Sequence, residues 1–310
     1  MNRILVFTPS EDQCGRAVAL GAALAQRTGA SLTLCRVLEE SPAGHLSGGP
    51  AQLDGKLRDL LIDSESRALR QIAESLRARS QEPLEVDIEV HWGVPWEVVI
   101  ELVEQDGFDL VIKPARGLSH SGRVFFGSTA LHLFRRCPCP VWVVGDDGHL
   151  PRRILLSIDP SLDQTRRQMA SKLLEWGDSI RIASGAELEV ASAWQAQGAD
   201  VLKERLEQWE FDAYVSDARE HAENGLKAIL QGSASAAAVT RSHLLAGSAR
   251  EIIPEFAGNR EFNLVLVGTL GRTGVVGEIL GETAELILRG VRCSVLAISP
   301  RHRSPFDRAG

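Results

Sequence analysis

The residues best placed for chemistry lie in the second half of the chain. Asp159 directly follows the apolar run ILLSI, and GTLGRTGVVGEILGET fills Gly268 to Thr283, between the apolar run LVLV and a helical run ending near Arg289. Glycines at a strand-to-helix turn let the backbone approach a phosphate closely, and the next helix offers free N–H groups and the positive end of its dipole. A carboxylate at the end of a first strand accepts hydrogen bonds from an adenine or a ribose. Asp159 and the stretch from Gly268 to Thr283, which contains Gly271, Arg272, Gly281 and Glu282, are therefore a candidate phosphate or nucleotide site. The same residues have a plainer reading. Glycines also make tight turns, and Asp159-Pro160 can simply start a helix as its cap.

Such residues need strands to hold them, and the chain supplies a set of strands twice. GVPWEVVIELVEQDGFDLVIK from Gly93 lines up with GSAREIIPEFAGNREFNLVLV from Gly247, a shift of 154 residues that pairs Glu97 with Glu251 and Phe108 with Phe262. The same shift sets Gly117 on Gly271, Gly127 on Gly281, Thr129 on Thr283, Arg135 on Arg289 and Cys139 on Cys293. RILVFTP from Arg3 matches RILLSIDP from Arg153. An internal repeat of this length implies two domains. They are predicted at 1–145 and 152–300, with the polar 146–151 as a linker and 301–310 as a basic tail.

In the first copy apolar runs at 4–8, 31–37, 84–91, 110–113 and 141–144 read as strands. Leu57, Leu61, Ala68, Ile72 and Leu76 give an apolar helix face in the first copy, and Met169, Leu173, Trp176 and Ile180 give one in the second. The Gly, Ser and Pro-rich stretch from Glu40 to Gly55 reads as a loop. Alternation of strand and helix predicts parallel sheets covered by helices, with ligands held beyond the C-terminal ends of the strands.

Composition excludes several classes. Charged residues make up 24% and the net charge is −7, which opposes association with nucleic acid and with anionic membrane surfaces. No apolar stretch is long enough to span a membrane, and the first residues carry no leader pattern, so a cytoplasmic location is expected. Five scattered cysteines read as reduced buried thiols rather than a disulfide framework. Cys137-Pro-Cys139 lacks the spacing and partners of a zinc site, and no metal ligand set is assigned.

The two and nine residues between Gly268, Gly271 and Gly281, with ILLSIDP, GTLGRTG, HLLAGSAREIIPEFA and RCSVLAIS, resemble the nucleotide loop and framework of the universal stress protein family. LFRRCPCPVWVV makes the first copy similar. The fused pair resembles the two-domain E-type members. This resemblance implies two tandem Rossmann-like domains of the adenine nucleotide alpha hydrolase type, each a five-stranded parallel sheet. In ATP-binding members the aspartate after the first strand meets adenine, the glycines meet phosphates, and a Ser or Thr after the third glycine meets the terminal phosphate. Here that last place holds Glu282, with Thr283 one residue on. In the first copy Thr8 stands for the aspartate and Pro114 for the first glycine, while Gly117, Gly127 and Ser128 remain. Proline removes an N–H and fixes φ, so this is a degenerate site. Lys113 beside it is read either as a contact for an anion or as a structural lysine.

The resemblance implies a non-catalytic ligand-sensing module for stress adaptation. No cofactor is required, and weak ATP binding, with magnesium, is expected in the second domain alone. A scaffold for an apolar or lipid-like small molecule, or for protein partners, is the alternative. An ATP-hydrolysing enzyme ranks last, because GxxxxGK[ST] is absent and no nucleophile, base and acid assemble from the motifs. Val141–Val144 and Val295–Ile298 are predicted to join the domains as an intramolecular pseudo-dimer, and a homodimer of the tandem chain is a further expectation. His91 and His243 read as hydrogen-bonded structural histidines.

Overall fold

The computed structural model describes residues 1–9, 11–39, 51–118, 124–145, 148–269 and 280–306, with only the backbone placed at 11–14, 51–54, 118, 124 and 125. The chain separates into two compact units, the first built from Met1–Leu118 and Phe125–Leu150, the second from Pro151–Phe306.

Unit 1 runs β1 (Arg3–Phe7), α1 (Glu11–Thr28), β2 (Ser31–Leu38), α2 (Ala51–Arg79), β3 (Val86–Trp92), α3 (Pro95–Asp106), β4 (Leu110–Pro114), α4 (Gly127–Arg136) and β5 (Val141–Val144). Its sheet has the order β5-β4-β1-β2-β3, every pair parallel. Unit 2 runs β6 (Arg153–Ser157), α5 (Gln164–Ser184), β7 (Glu187–Trp194), the single turn α6 (Ala199–Leu202), α7 (Gln208–Gln231), β8 (Val239–Ala246), α8 (Ala249–Asn259), β9 (Leu264–Gly268), α9 (Glu282–Gly290) and β10 (Ser294–Ile298). Its order is β8-β7-β6-β9-β10, again parallel throughout. Each unit is thus the five-stranded α/β domain that the alternation predicts. Strand order reverses beside the first strand of each, between β1 and β4 and between β6 and β9.

The central strands are near-continuous apolar runs because both faces are covered. Ile4, Leu5, Val6, Leu110, Val111 and Ile112 are fully buried in unit 1. Met169, Leu173, Trp176 and Ile180 are the buried face of α5, as their spacing predicts. Asp163 caps that helix, its carboxylate accepting from the N–H of Thr165 and Arg166 at 3.0 and 3.2 Å. The repeat extends to the entry of each first strand. Asp109 accepts from the backbone N–H of Asn2 and Arg3, as Asn263 does from Arg152 and Arg153, and each arginine lies over a phenylalanine, Phe108 or Phe262.

Two sequence expectations need correction. Helix α2 begins at Ala51, so 51–55 belong to it rather than to a loop, while 40–50 fall outside the described residues. Its buried residues are Leu69 and Ala73, with Ile72 and Leu76 half-buried and Leu61 exposed. Leu69, Ile72, Ala73 and Leu76 share one face at i, i+3, i+4 and i+7 spacing, and Leu61 lies to one side of it. The part of the tail up to Phe306 docks on α5: the indole N–H of Trp176 donates to the carbonyl of Arg303 at 3.1 Å, Lys172 donates to the carbonyl of His302, and His302 is buried.

The sulfurs of Cys137 and Cys139 are 3.7 Å apart. Cys35, Cys137, Cys139 and Cys293 are free thiols, and burial pushes Cys35 and Cys293 up to about 12. Among the described residues no three His, Cys, Asp or Glu side chains gather as a metal site, and no helix is long and apolar enough to cross a membrane.

Candidate functional site

Beyond the ends of β6 and β9, where the order of unit 2 reverses, lies a cavity of about 510 Å³. Its floor is apolar, with Ile158, Met169, Leu173, Val267 and Ile287 each at most 5% exposed. Its rim is polar, formed by Asp159, Arg166, Gln197, Glu282 and Thr283. A space of this size with an apolar floor and a few polar groups suits a small organic ligand.

The structure brings Asp159, Gly268, Gly281, Glu282 and Thr283 to this one cavity; Gly271 and Arg272 lie outside the described residues. Asp159 does not wait for a ligand. Its carboxylate accepts from the N–H of Ser161 at 3.0 Å and is ion-paired with Arg166 on the first turn of α5. Gly268 packs closely on α5: a Cβ there would stand 2.7 Å from Cγ of Met169, so that side chain would have to shift. Gly281 is the N-cap of α9 and Glu282 its first residue, so the Glu282 carboxylate is carried at the positive end of the helix. Glu285 adds a second acidic residue to that turn.

Two residues missed by motif reading shape the site. Arg166 is seven positions from Asp159 and becomes its partner only once the strand turns into α5. Gly225 of α7 lies against Pro160, so that any Cβ there would run into the Pro160 carbonyl oxygen. No sequence signal pairs them.

The corresponding edge of unit 1 has different contents. Thr8 N–H donates to the carbonyl of Cys35 as Ile158 N–H donates to that of Ala191, so Thr8 occupies the place of Ile158. The aspartate's place therefore falls to Pro9, not Thr8, because the two first strands differ by one residue before their prolines. Lys113 is 4% exposed, and its ammonium donates to the carbonyl of Pro114 at 2.6 Å. Burial, with Arg116 nearby, lowers it from 10.5 to about 8. Gly117 and Gly127 both have positive φ, 144° and 72°. Ser128 is exposed in the first turn of α4, and a Cβ on the preceding Gly127 would stand 3.4 Å from the Arg116 side chain.

The two histidines are hydrogen-bonded but not equivalent. His91 meets Glu89 of its own strand at 2.9 Å, whereas His243 on β8 meets Glu189 on β7 at 2.6 Å. Glu89, not His91, stands beside Cys35 as His243 stands beside Ala191. Glu189 also accepts from Arg153 at 2.7 Å. Burial alone would raise this carboxyl, but hydrogen bonds from Arg153 and His243 outweigh burial and hold it below its ordinary value.

The model of the universal stress protein family matches residues 1–145 and 151–299. Universal stress protein E of Salmonella typhi is 28% identical over 269 residues, covering 81% of this chain and 84% of that protein. Its counterpart in Escherichia coli K12 is 27% identical, covering 81% and 83%. A universal-stress-type protein of Pseudomonas aeruginosa UCBPP-PA14 superposes with a TM-score of 0.72 at 20% identity, over 97% of this chain and 94% of that one. A universal stress protein of Archaeoglobus fulgidus does so at 0.65 and 15% identity, over 96% and 98%. At these identities the solved structures speak to the fold.

Proposed function

The chain belongs to the universal stress protein family, and on that premise we propose that it is a cytoplasmic, non-catalytic ligand-sensing protein of stress adaptation whose second unit holds the ligand. The observation that carries this reading is the cavity at the strand-order reversal of unit 2, with an apolar floor and a polar rim that includes Asp159. Asp159 would take a base or ribose, Gly268 and Gly281 frame the mouth, and Gly271 and Arg272 lie between those glycines in the sequence. ATP with magnesium is held weakly on this reading, because Glu282 stands at the helix terminus that a phosphate would use. Unit 1, with Lys113 in a degenerate site, serves as framework. The reading without turnover is supported by the described rim residues, among which no nucleophile is hydrogen-bonded to a base.

Native mass spectrometry of the freshly purified full chain, with isothermal titration, tests this. The expected result is a bound or titratable nucleoside-sized molecule and negligible hydrolysis. Robust ATP turnover would overturn the non-catalytic reading, and a co-purifying lipid-like molecule would support the scaffold reading that the apolar floor favours.

The assembly part of the proposal rests on sequence. VWVV and VLAI are wholly apolar and end the two sheets, and a self-complementary strand of this kind needs a partner. On this reading they join the units as a pseudo-dimer, with further homodimerisation measured by sedimentation. Val143→Lys should then split one melting transition into two, and a single unchanged transition would count against it.

A further inference from the structure

We infer that the unit 2 cavity is selective for a phosphate-free ligand, a neutral or cationic aromatic of nucleoside size, and that Glu282 enforces the selection. This rests on the cavity being the ligand site, as proposed above.

Charge decides which ligand the rim accepts. Among the described lining residues Asp159 and Glu282 are anionic and Arg166 is cationic, so the net formal charge is −1. Arg166 is already bonded to Asp159, which leaves that cation spoken for. The N-terminus of α9 is the natural anion receptor of the cavity, since the first N–H groups of a helix have no internal acceptor. Its N-cap, Gly281, has no side chain to cap it, while its first residue is Glu282 and its fourth Glu285, which pairs with Arg289 at 2.7 Å. The Glu282 carboxylate thus holds the dipole's favourable position itself, and a phosphate arriving there meets a like charge.

Unit 1 supplies the internal control. At the corresponding position, one residue after Gly127, it carries Ser128, a hydroxyl with no charge. The apolar floor does not discriminate between a nucleoside and its phosphate esters, because both present the same aromatic face. Discrimination therefore falls to the rim. Asp159, as an acceptor-only group, favours ligands that bring N–H or O–H donors or positive charge.

The test is titration of the full chain with adenosine and with MgATP at low salt, for the native protein, Glu282→Ser and Glu282→Gln. Native protein should bind adenosine at least roughly tenfold more tightly than MgATP. Either substitution should tighten MgATP about tenfold, equal to about 1.4 kcal/mol, and move adenosine less than about threefold; added salt should shrink the difference. Glutamine keeps the size and removes the charge, so it separates repulsion from shape. Melting curves verify that each variant is folded. Tighter MgATP than adenosine in the native protein, or equal responses of the two ligands to substitution, would overturn the selection by Glu282. Failure of both ligands to bind a folded native chain would instead sink the ligand-site reading, and this inference with it.

Discussion

At the same point of the same fold, the two units carry opposite chemistry. Beyond its first strand unit 2 has Asp159, an open cavity and Glu282, whereas unit 1 has Pro9, Ser128 and the cations Arg36, Lys113 and Arg116. Ser192 donates to the carbonyl of Ile158 at 2.8 Å; in unit 1 Arg36 makes the corresponding bond to Thr8 at 3.2 Å and is also ion-paired with Glu65 of α2. Val267 becomes Lys113, and Gly268 becomes Pro114. The sheet and its entry contacts tolerate this exchange because they depend on apolar runs and backbone hydrogen bonds, not on the residues past the end of each strand. Duplicated folds keep the frame and free the rim.

The largest expected effect concerns the contact that holds the rim of unit 2 in place. Gly225→Ala should push Pro160 aside or lift α7, since the obstacle is a backbone carbonyl that cannot rotate away. Overpacking of this kind costs about 1–3 kcal/mol. Adenosine binding should fall by more than about tenfold, while the unit 1 contacts stay intact. Hydrogen exchange at 159–166 together with titration would measure both. If the site loop and affinity are unmoved, Gly225 does not support the cavity, and the contrast between the units rests on side chains alone.

Next comes the buried cation of unit 1. A lysine lowered from 10.5 to about 8 corresponds to about 3 kcal/mol of native-state penalty at pH 7. In the window between about 8 and 10.5 the unfolded chain binds the extra proton, so this penalty is full below pH 8 and is relieved as pH rises toward 10.5. Lys113→Met should therefore raise stability at pH 7 by up to about 3 kcal/mol, and its advantage should shrink across that window. Chemical denaturation of both proteins from pH 7 to 10.5 gives the difference directly. A variant less stable at pH 7 would mean that what Lys113 holds, the Pro114 carbonyl or a solution anion, outweighs the cost of its burial, and only a loss that depends on added phosphate would make unit 1 a second binding unit.

The same residues separate the legible from the illegible in the sequence. The repeat, the parallel sheets, the buried face of α5 and the glycine-framed helix start of Glu282 can be read from local pattern, because apolar period and glycine spacing are local. The place of Thr8 cannot, since a one-residue difference before Pro9 and Pro160 is visible only when the strand register is known. The Glu189, Arg153 and His243 cluster joins three strands, and the docking of His302 and Arg303 on α5 joins residues far apart in the chain. Such contacts are decided by packing, and no short motif announces them. Arg166 is the intermediate case, near Asp159 in sequence but turned toward it only by the capped start of α5.

That ion pair gives the smallest and most diagnostic effect. Asp159 and Arg166 are half and about one-third exposed, so their attraction is partly screened and worth at most about 1 kcal/mol. A ligand that needs the Asp159 carboxylate must compete with Arg166 for it, although the Ser161 N–H leaves one oxygen's geometry fixed. Arg166→Ala removes the competitor and also removes the cation from the rim. For adenosine the first effect dominates, and affinity should rise about two- to fivefold at low salt, with the gain fading as salt screens the pair in the native protein. For MgATP the lost cation opposes the gain, so its affinity should stay level or fall. Titrating both ligands at two salt concentrations separates these outcomes. A loss of adenosine affinity would show that Arg166 touches the ligand itself, and the rim of unit 2 would then be cationic in use, closer to that of unit 1 than its static pairing suggests.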